Sequence, residues 1–181
     1  RATREDPKLQ PEVTELKDIA EEAMEELRRS LTMMRRDFDL HETLEDYCLR
    51  LVERTKGEVQ ADFKVRGRIR RLPSEMQLAI FRLLQECLNN IQKHARASRV
   101  KARLRYDADL VSLTVADDGV GFEPAAQAEP GHYGLTNMEE RAKKLRGTLE
   151  VQSAPGKGTT IHATLVIPAE GSHVAFLPDG M

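Results

Sequence analysis

The chain has 181 residues, 40% hydrophobic and 32% charged, with 4% aromatics, no tryptophan and a formal net charge of −2. That length holds one ordinary domain plus an extra element around an aliphatic core, and the balanced charge gives no general argument for nucleic-acid binding, so no nucleic-acid partner is expected. No apolar run is long enough to span a bilayer and no signal peptide opens the chain; Cys48 and Cys87 both sit in helical apolar patterns, which points to buried free thiols in a soluble, cytoplasmic protein.

Residues 1–11 are polar, carry Pro7 and Pro11, and read as a connector. The chain opens on Arg1 rather than methionine, so a piece of a longer protein is expected, with membrane contact only through segments upstream. From Glu12 to Arg36, Val13, Leu16, Ala20, Ala23, Leu27, Leu31 and Met34 recur every three or four residues amid dense charge. That spacing predicts a long helix with one apolar seam, and a lone helix cannot bury its own seam, so a partner is required.

His41 reads as an ordinary residue near the start of a helix over Thr43–Lys56, capped by Asp39 or His41 itself, with Leu44, Tyr47, Cys48, Leu51 and Val52 on one face and Gly57 as its stop. Glu58 to Val65 alternates as a half-buried strand. Arg66, Arg68, Arg70 and Arg71 follow; a docking patch for an acidic partner or phosphate is one reading, and a solvated turn is the plainer one. Pro73-Ser74 then opens a long helix to about Ala97.

Within that helix, at about 100° per residue, Glu86, Asn90 and Lys93 form a polar stripe, while Ile80, Leu84, Cys87, Leu88 and Ile91 gather on the opposite face. Such a stripe alone is ordinary helix surface. Val100–Tyr106 and Leu110–Ala116 alternate as a hairpin that delivers Asp117 to the end of its second strand. Phe122 to Tyr133 lacks periodicity and reads as a mobile loop; Gly134–Arg146 reads as a helix with Leu135, Met138, Ala142 and Leu145 inward, stopped by Gly147. Leu149, Val151 and then Ile161, Ala163, Leu165 and Ile167 supply a closing hairpin around Pro155-Gly156-Lys157-Gly158, and the tail after Pro168 reads as loose.

Three glycine-bearing segments thus follow the polar stripe in order: Asp117-Asp118-Gly119-Val120-Gly121-Phe122, Gly131-His132-Tyr133-Gly134-Leu135 and Gly156-Lys157-Gly158-Thr159-Thr160. The set resembles the N, G1, G2 and G3 boxes of the GHKL ATPase superfamily, and most closely those of sensor histidine kinases of the nitrate-sensor and desaturase-sensor type. Their helix reads Q/E-E-x-x-x-N-x-x-K-H-A, as Gln85 to Ala95 does, and their G2 region continues G-L-x-x-M-x-E-R-A, as Gly134 to Ala142 does.

The resemblance implies a two-layer α/β sandwich, a mixed sheet covered on one face by helices. It places part of a dimerisation and phosphotransfer hairpin over 1–40, the ATP-binding catalytic domain over 41–168, and a tail over 169–181. The implied activity is an ATP-dependent protein-histidine kinase with Mg²⁺. It would act on a histidine outside this chain, homodimerise through the N-terminal helix, and pass phosphate to a response-regulator receiver domain.

Asp117 matches the acid that accepts a hydrogen bond from the adenine amine. Gly119 and Gly121 would let backbone approach purine and ribose, and Gly158 and Thr159 would close that side. Gly131 fits a lid hinge, and Gly134 and Leu135 would present amides to phosphates. Asn90 is the expected Mg²⁺ ligand, Lys93 a phosphate contact with His94 as a lesser candidate, and Glu86 the group that orients or deprotonates the acceptor. His132 reads as an exposed loop residue. Two alternatives stay open: an anti-sigma-type serine kinase, which the seam helix argues against, and an ATP-binding dimerisation module without kinase activity. A GHKL hydrolase fits less well, because Lys93 replaces that group's usual aspartate.

Overall fold

The computed structural model describes residues 39–123 and 133–168, together with Met24. The seam helix expected over Glu12–Arg36, the hinge Gly131, His132 and the tail from residue 169 lie outside the described residues.

Helix α1, Leu40–Arg54, begins where the Asp39 carboxylate accepts hydrogen bonds from the backbone N–H groups of His41 and Glu42 at 2.8 and 3.1 Å. These satisfy two of the donors that a helix start leaves free. The helix starts three residues before the expected Thr43, because Leu40 joins the buried face with Leu44, Tyr47, Cys48 and Leu51. Strand β1, Gln60–Gly67, leads into helix α2, Ser74–Asn90, which runs on into a π-helical turn over Ile91–Ala95. Arg96, left-handed at φ 49°, ends that turn.

Strands β2, Arg99–Tyr106, and β3, Leu110–Asp117, form the expected hairpin. Helix α3, Tyr133–Lys144, and strands β4, Thr148–Ser153, and β5, Thr159–Val166, complete the order. The residue that turns the chain out of α3 is Arg146, left-handed at φ 54°, rather than Gly147.

The sheet order is β1-β2-β3-β5-β4, with β1 and β2 parallel and the other pairs antiparallel. A parallel pair needs a long crossover, and α2 provides it. Strict alternation sorts the two faces: β2 exposes Arg99, Lys101, Arg103 and Arg105 and buries Val100, Ala102, Leu104 and Tyr106. The buried set lies in register with Val111, Leu113 and Val115 of β3, and these with Leu165, Ala163 and Ile161 of β5. Against this aliphatic face α2 packs Met76, Ile80, Leu83, Leu84 and Leu88, each worth about 1.5–3 kcal/mol on burial. Helix α1 covers β1 and α2, and α3 covers β4 and α2, giving a two-layer mixed-sheet sandwich. Both cysteines are buried and free. Burial, with Glu45 and Asp62 adding, pushes the Cys48 thiol up to about 12, and burial raises the Cys87 thiol as well.

Candidate functional site

Strand β3 carries Asp117 to one end of the sheet, opposite Thr159, the first residue of β5. One pleat further in, Val115 and Ile161 are opposite each other in the same register and give the site an aliphatic floor. The C-terminal half of α2 and the π-helical turn form the facing wall. Between them lies a cavity of about 520 Å³, within the range of small-molecule sites.

The helical wall offers Glu86, Asn90, Lys93 and His94 to this cavity, so the stripe predicted from helical periodicity faces a site. Lys93 and His94 sit on the π-helical turn, a feature that recurs at functional sites. The Val120 N–H donates to the Ala95 carbonyl at 2.7 Å, which ties the loop after Asp117 to the end of this wall. From Ala95 back to Glu86 the wall runs roughly 13 Å at about 1.5 Å rise per residue.

Asp117 is half-buried. Its Oδ1 accepts the Gly119 N–H at 2.8 Å, and the Thr159 backbone N–H also binds the carboxylate. Burial raises its pKa; the two N–H bonds pull the other way, and Asp118 adds to the rise. Asp118 has the opposite environment. Its Oδ1 accepts the N–H groups of Ser98 and Arg99 at 2.7 and 2.8 Å, and its Oδ2 accepts the Ser98 hydroxyl at 2.7 Å. These bonds, the Ser98 hydroxyl foremost, lower its pKa. One acid is available in the cavity; its neighbour clasps the entry to β2.

Gly134 is set by close approach. A Cβ there would overlap Oε1 of Glu86 and lie 3.6 Å from Nδ2 of Asn90, so the start of α3 is pressed against the polar stripe. Gly134 and Leu135 both line the cavity. Gly121, left-handed at φ 60°, also lines it, and a Cβ there would overlap the carbonyls of Ala154 and Gly158. Gly119 and Gly158 do not line it. The space beside Gly119 is taken by the Ala95 carbonyl and that beside Gly158 by the Asp117 carbonyl, so both serve the packing of the rim. Thr159 lines the floor beside Asp117.

Ser153 has no local signature in the sequence. Its hydroxyl accepts the Phe122 N–H at 2.9 Å, donates to the Gly158 carbonyl at 3.0 Å and lies 3.0 Å from the Thr159 hydroxyl. It thereby joins two cavity residues, Phe122 and Thr159. The signal that finds it is the β4–β5 register, which sets Ser153 opposite Thr159.

Among the described residues no group of three or more His, Cys, Asp or Glu side chains is placed to hold a metal ion. The donors present, one carboxamide oxygen at Asn90 with Glu86 one turn away, fit a hard cation that takes most of its ligands from phosphate and water.

Residues 75–169 match the family model described as histidine kinase-, DNA gyrase B-, and HSP90-like ATPase. The chain is 34% identical over 163 residues to the signal transduction histidine-protein kinase/phosphatase DegS of Brevibacillus brevis, which covers 88% of this chain and 42% of that protein. It is 28% identical over 180 residues to the sensor protein VraS of Staphylococcus aureus, covering 96% of this chain and 50% of that one. The chain therefore spans half or less of the length of these relatives. Among solved structures, the histidine kinase AdeS of Acinetobacter baumannii matches with a TM-score of 0.61 at 13% identity, over 92% of this chain and 88% of that one, a likeness of fold.

Proposed function

Because the chain belongs to the histidine kinase-, DNA gyrase B-, and HSP90-like ATPase family, an ATP-binding family, we propose that it is the catalytic core of a two-component sensor histidine kinase. It takes the γ-phosphoryl group of ATP and transfers it to a histidine outside the ATP-binding domain, from which a receiver-domain aspartate collects it. Such a relay places the core in the cytoplasm and, in the intact protein, pairs the Glu12–Arg36 seam with a second copy. Among the described residues no helix is long and apolar enough to cross a membrane.

The observation that carries this reading is the close approach of Gly134 to Glu86 in a cavity that Asn90 and Asp117 also line. Asp117 accepts a hydrogen bond from the adenine amine, and Ile91, Val115 and Ile161 flank the ring. The first amides of α3, at Gly134 and Leu135, face the phosphates with the positive end of the helix dipole. Asn90 would hold Mg²⁺ through its carboxamide oxygen, and the ion would neutralise charge on the transferring phosphoryl group. Lys93 adds a second positive charge, with His94 beside it. Glu86 orients the acceptor imidazole and draws off its proton. Most of the barrier reduction in phosphoryl transfer comes from alignment and charge neutralisation, so Asn90 matters more than Glu86.

The test is incorporation of label from γ-labelled ATP into the full-length protein. An acid-labile phosphohistidine is expected, absent in Asn90→Ala and residual in Glu86→Gln. Equal loss in both variants counts against the roles assigned, and an acid-stable product would point to a serine kinase instead.

A further inference from the structure

The sheet face turned away from the helices carries a concentration of positive charge, with Asp62, opposite Lys101, the one acid at the outward positions of β1 and β2. Lys64 and Arg66 of β1 and Arg99, Lys101, Arg103 and Arg105 of β2 are all exposed. The parallel register sets Lys64 opposite Arg103 and Arg66 opposite Arg105. Like charges directly opposite one another destabilise a sheet, and strands lie only about 4.8 Å apart. Two of the six are compensated: Lys64 pairs with Asp62 at 2.9 Å, and Arg105 with Asp107 at 2.8 Å. Arg66, Arg99, Lys101 and Arg103 have no ion-pair partner among the described residues.

The strand then runs on into Arg68-Ile69-Arg70-Arg71, where the Arg70 guanidinium donates to the backbone carbonyls of Asp107 and Ala108. That fastening spends Arg70 on structure and leaves Arg68, Arg71 and Ile69 in solvent, Ile69 at 58% exposure. The basic run in the sequence is therefore a loop held beside the basic strands.

We propose that the outward face of β1 and β2, with the Arg68–Arg71 loop, docks on an anionic lipid surface. The chemistry decides among polyanions. Protein interfaces draw their energy from buried aromatic and apolar anchors with charge depleted at the centre, and the outward positions of β1 and β2 carry none. Single-stranded nucleic acid needs aromatic platforms for its bases, and these are absent there too. A bilayer of acidic phospholipid needs only a broad array of Lys and Arg, with a shallow apolar residue such as Ile69 as a supplement. The face lies on the opposite side of the sheet from the cavity, so docking leaves that cavity open.

The test is co-sedimentation of the 181-residue chain with phosphatidylcholine vesicles, with and without phosphatidylglycerol. Binding is expected to the anionic vesicles alone and to fall steeply with added salt. The triple variant Arg66→Glu, Lys101→Glu, Arg103→Glu should bind at least about tenfold more weakly, and Ile69→Ser by a smaller factor. Neither should change the circular dichroism spectrum. Equal binding to neutral vesicles, or undiminished binding by the triple variant, overturns the proposal. So does stronger binding to duplex DNA or to polyglutamate than to vesicles of matched charge, which would reassign the face to nucleic acid or to an acidic protein.

Discussion

The backbone of Gly134 and the carboxylate of Glu86 occupy adjoining space with no room for a methyl group between them. An alanine at 134 would have to push Glu86 aside rather than any backbone, and it would gain helix propensity. Gly134→Ala is therefore expected to keep its Tm within a few degrees of the parent while phosphotransfer falls by about tenfold or more. A melt alongside a transfer assay checks this, and equal loss of both would make Gly134 a folding residue only.

Asp117 should behave as a functional acid held at some cost to the fold. Folding raises its pKa above the unfolded value of 3.8, mainly through burial. The stability linked to its proton is thus present below that value and is lost as pH rises through the folded one. Asp117→Asn removes this loss, so its urea midpoint at neutral pH should equal or exceed the parent's. ATP affinity should fall by about tenfold to a hundredfold, the worth of a hydrogen bond to a charged group. In the parent, affinity should also weaken as pH drops through the raised carboxyl range, measured by calorimetric titration.

Asp118 predicts the opposite profile. Folding lowers its pKa from 3.8, so its contribution is present above that value and is lost as pH falls through the folded one. Asp118→Ala should cost about 1 kcal/mol at neutral pH, a figure kept low by the residue's exposure. The gap to the parent should close in acid. Urea melts across pH report it, and a gap that does not change with pH would show that the clasp at Ser98 and Arg99 works without charge.

Ser153→Ala should release the Phe122 N–H and the Thr159 hydroxyl from their common partner. ATP affinity is expected to weaken by about fivefold to tenfold, in line with one or two neutral hydrogen bonds, with kcat nearly unchanged. Ser153→Thr, which keeps the hydroxyl, should recover most of the loss. A change in kcat instead of KM would mean that the residue acts on the chemistry rather than on the pocket.

Much of this was legible in the residues themselves. The period-two pattern of Val100–Tyr106 and Leu110–Ala116 located the β2–β3 hairpin within one residue at each end, and the Glu86-Asn90-Lys93 stripe does face the cavity. What escaped depends on tertiary register. Asp117 is readable from its place at the strand end, whereas the clasp that Asp118 makes on Ser98 and Arg99 is not. Ser153 gains its role only when β4 meets β5. The space beside the glycines at 119 and 158 is filled by the chain's own carbonyls, a packing role that no local pattern shows. The π-helical turn at Ile91 and the left-handed Arg146 have no residue-type signature to betray them.

Helix α2 carries the crossover between β1 and β2 on its apolar side and the polar stripe on the other. Ile80, Leu84 and Leu88 hold the sheet together, whereas Glu86 and Asn90 contribute little to the interior. Chemistry can therefore be erased from this helix without erasing the shape. A copy silenced at Asn90 should therefore keep the parent's melting curve while losing label incorporation, an inert twin of the active protein.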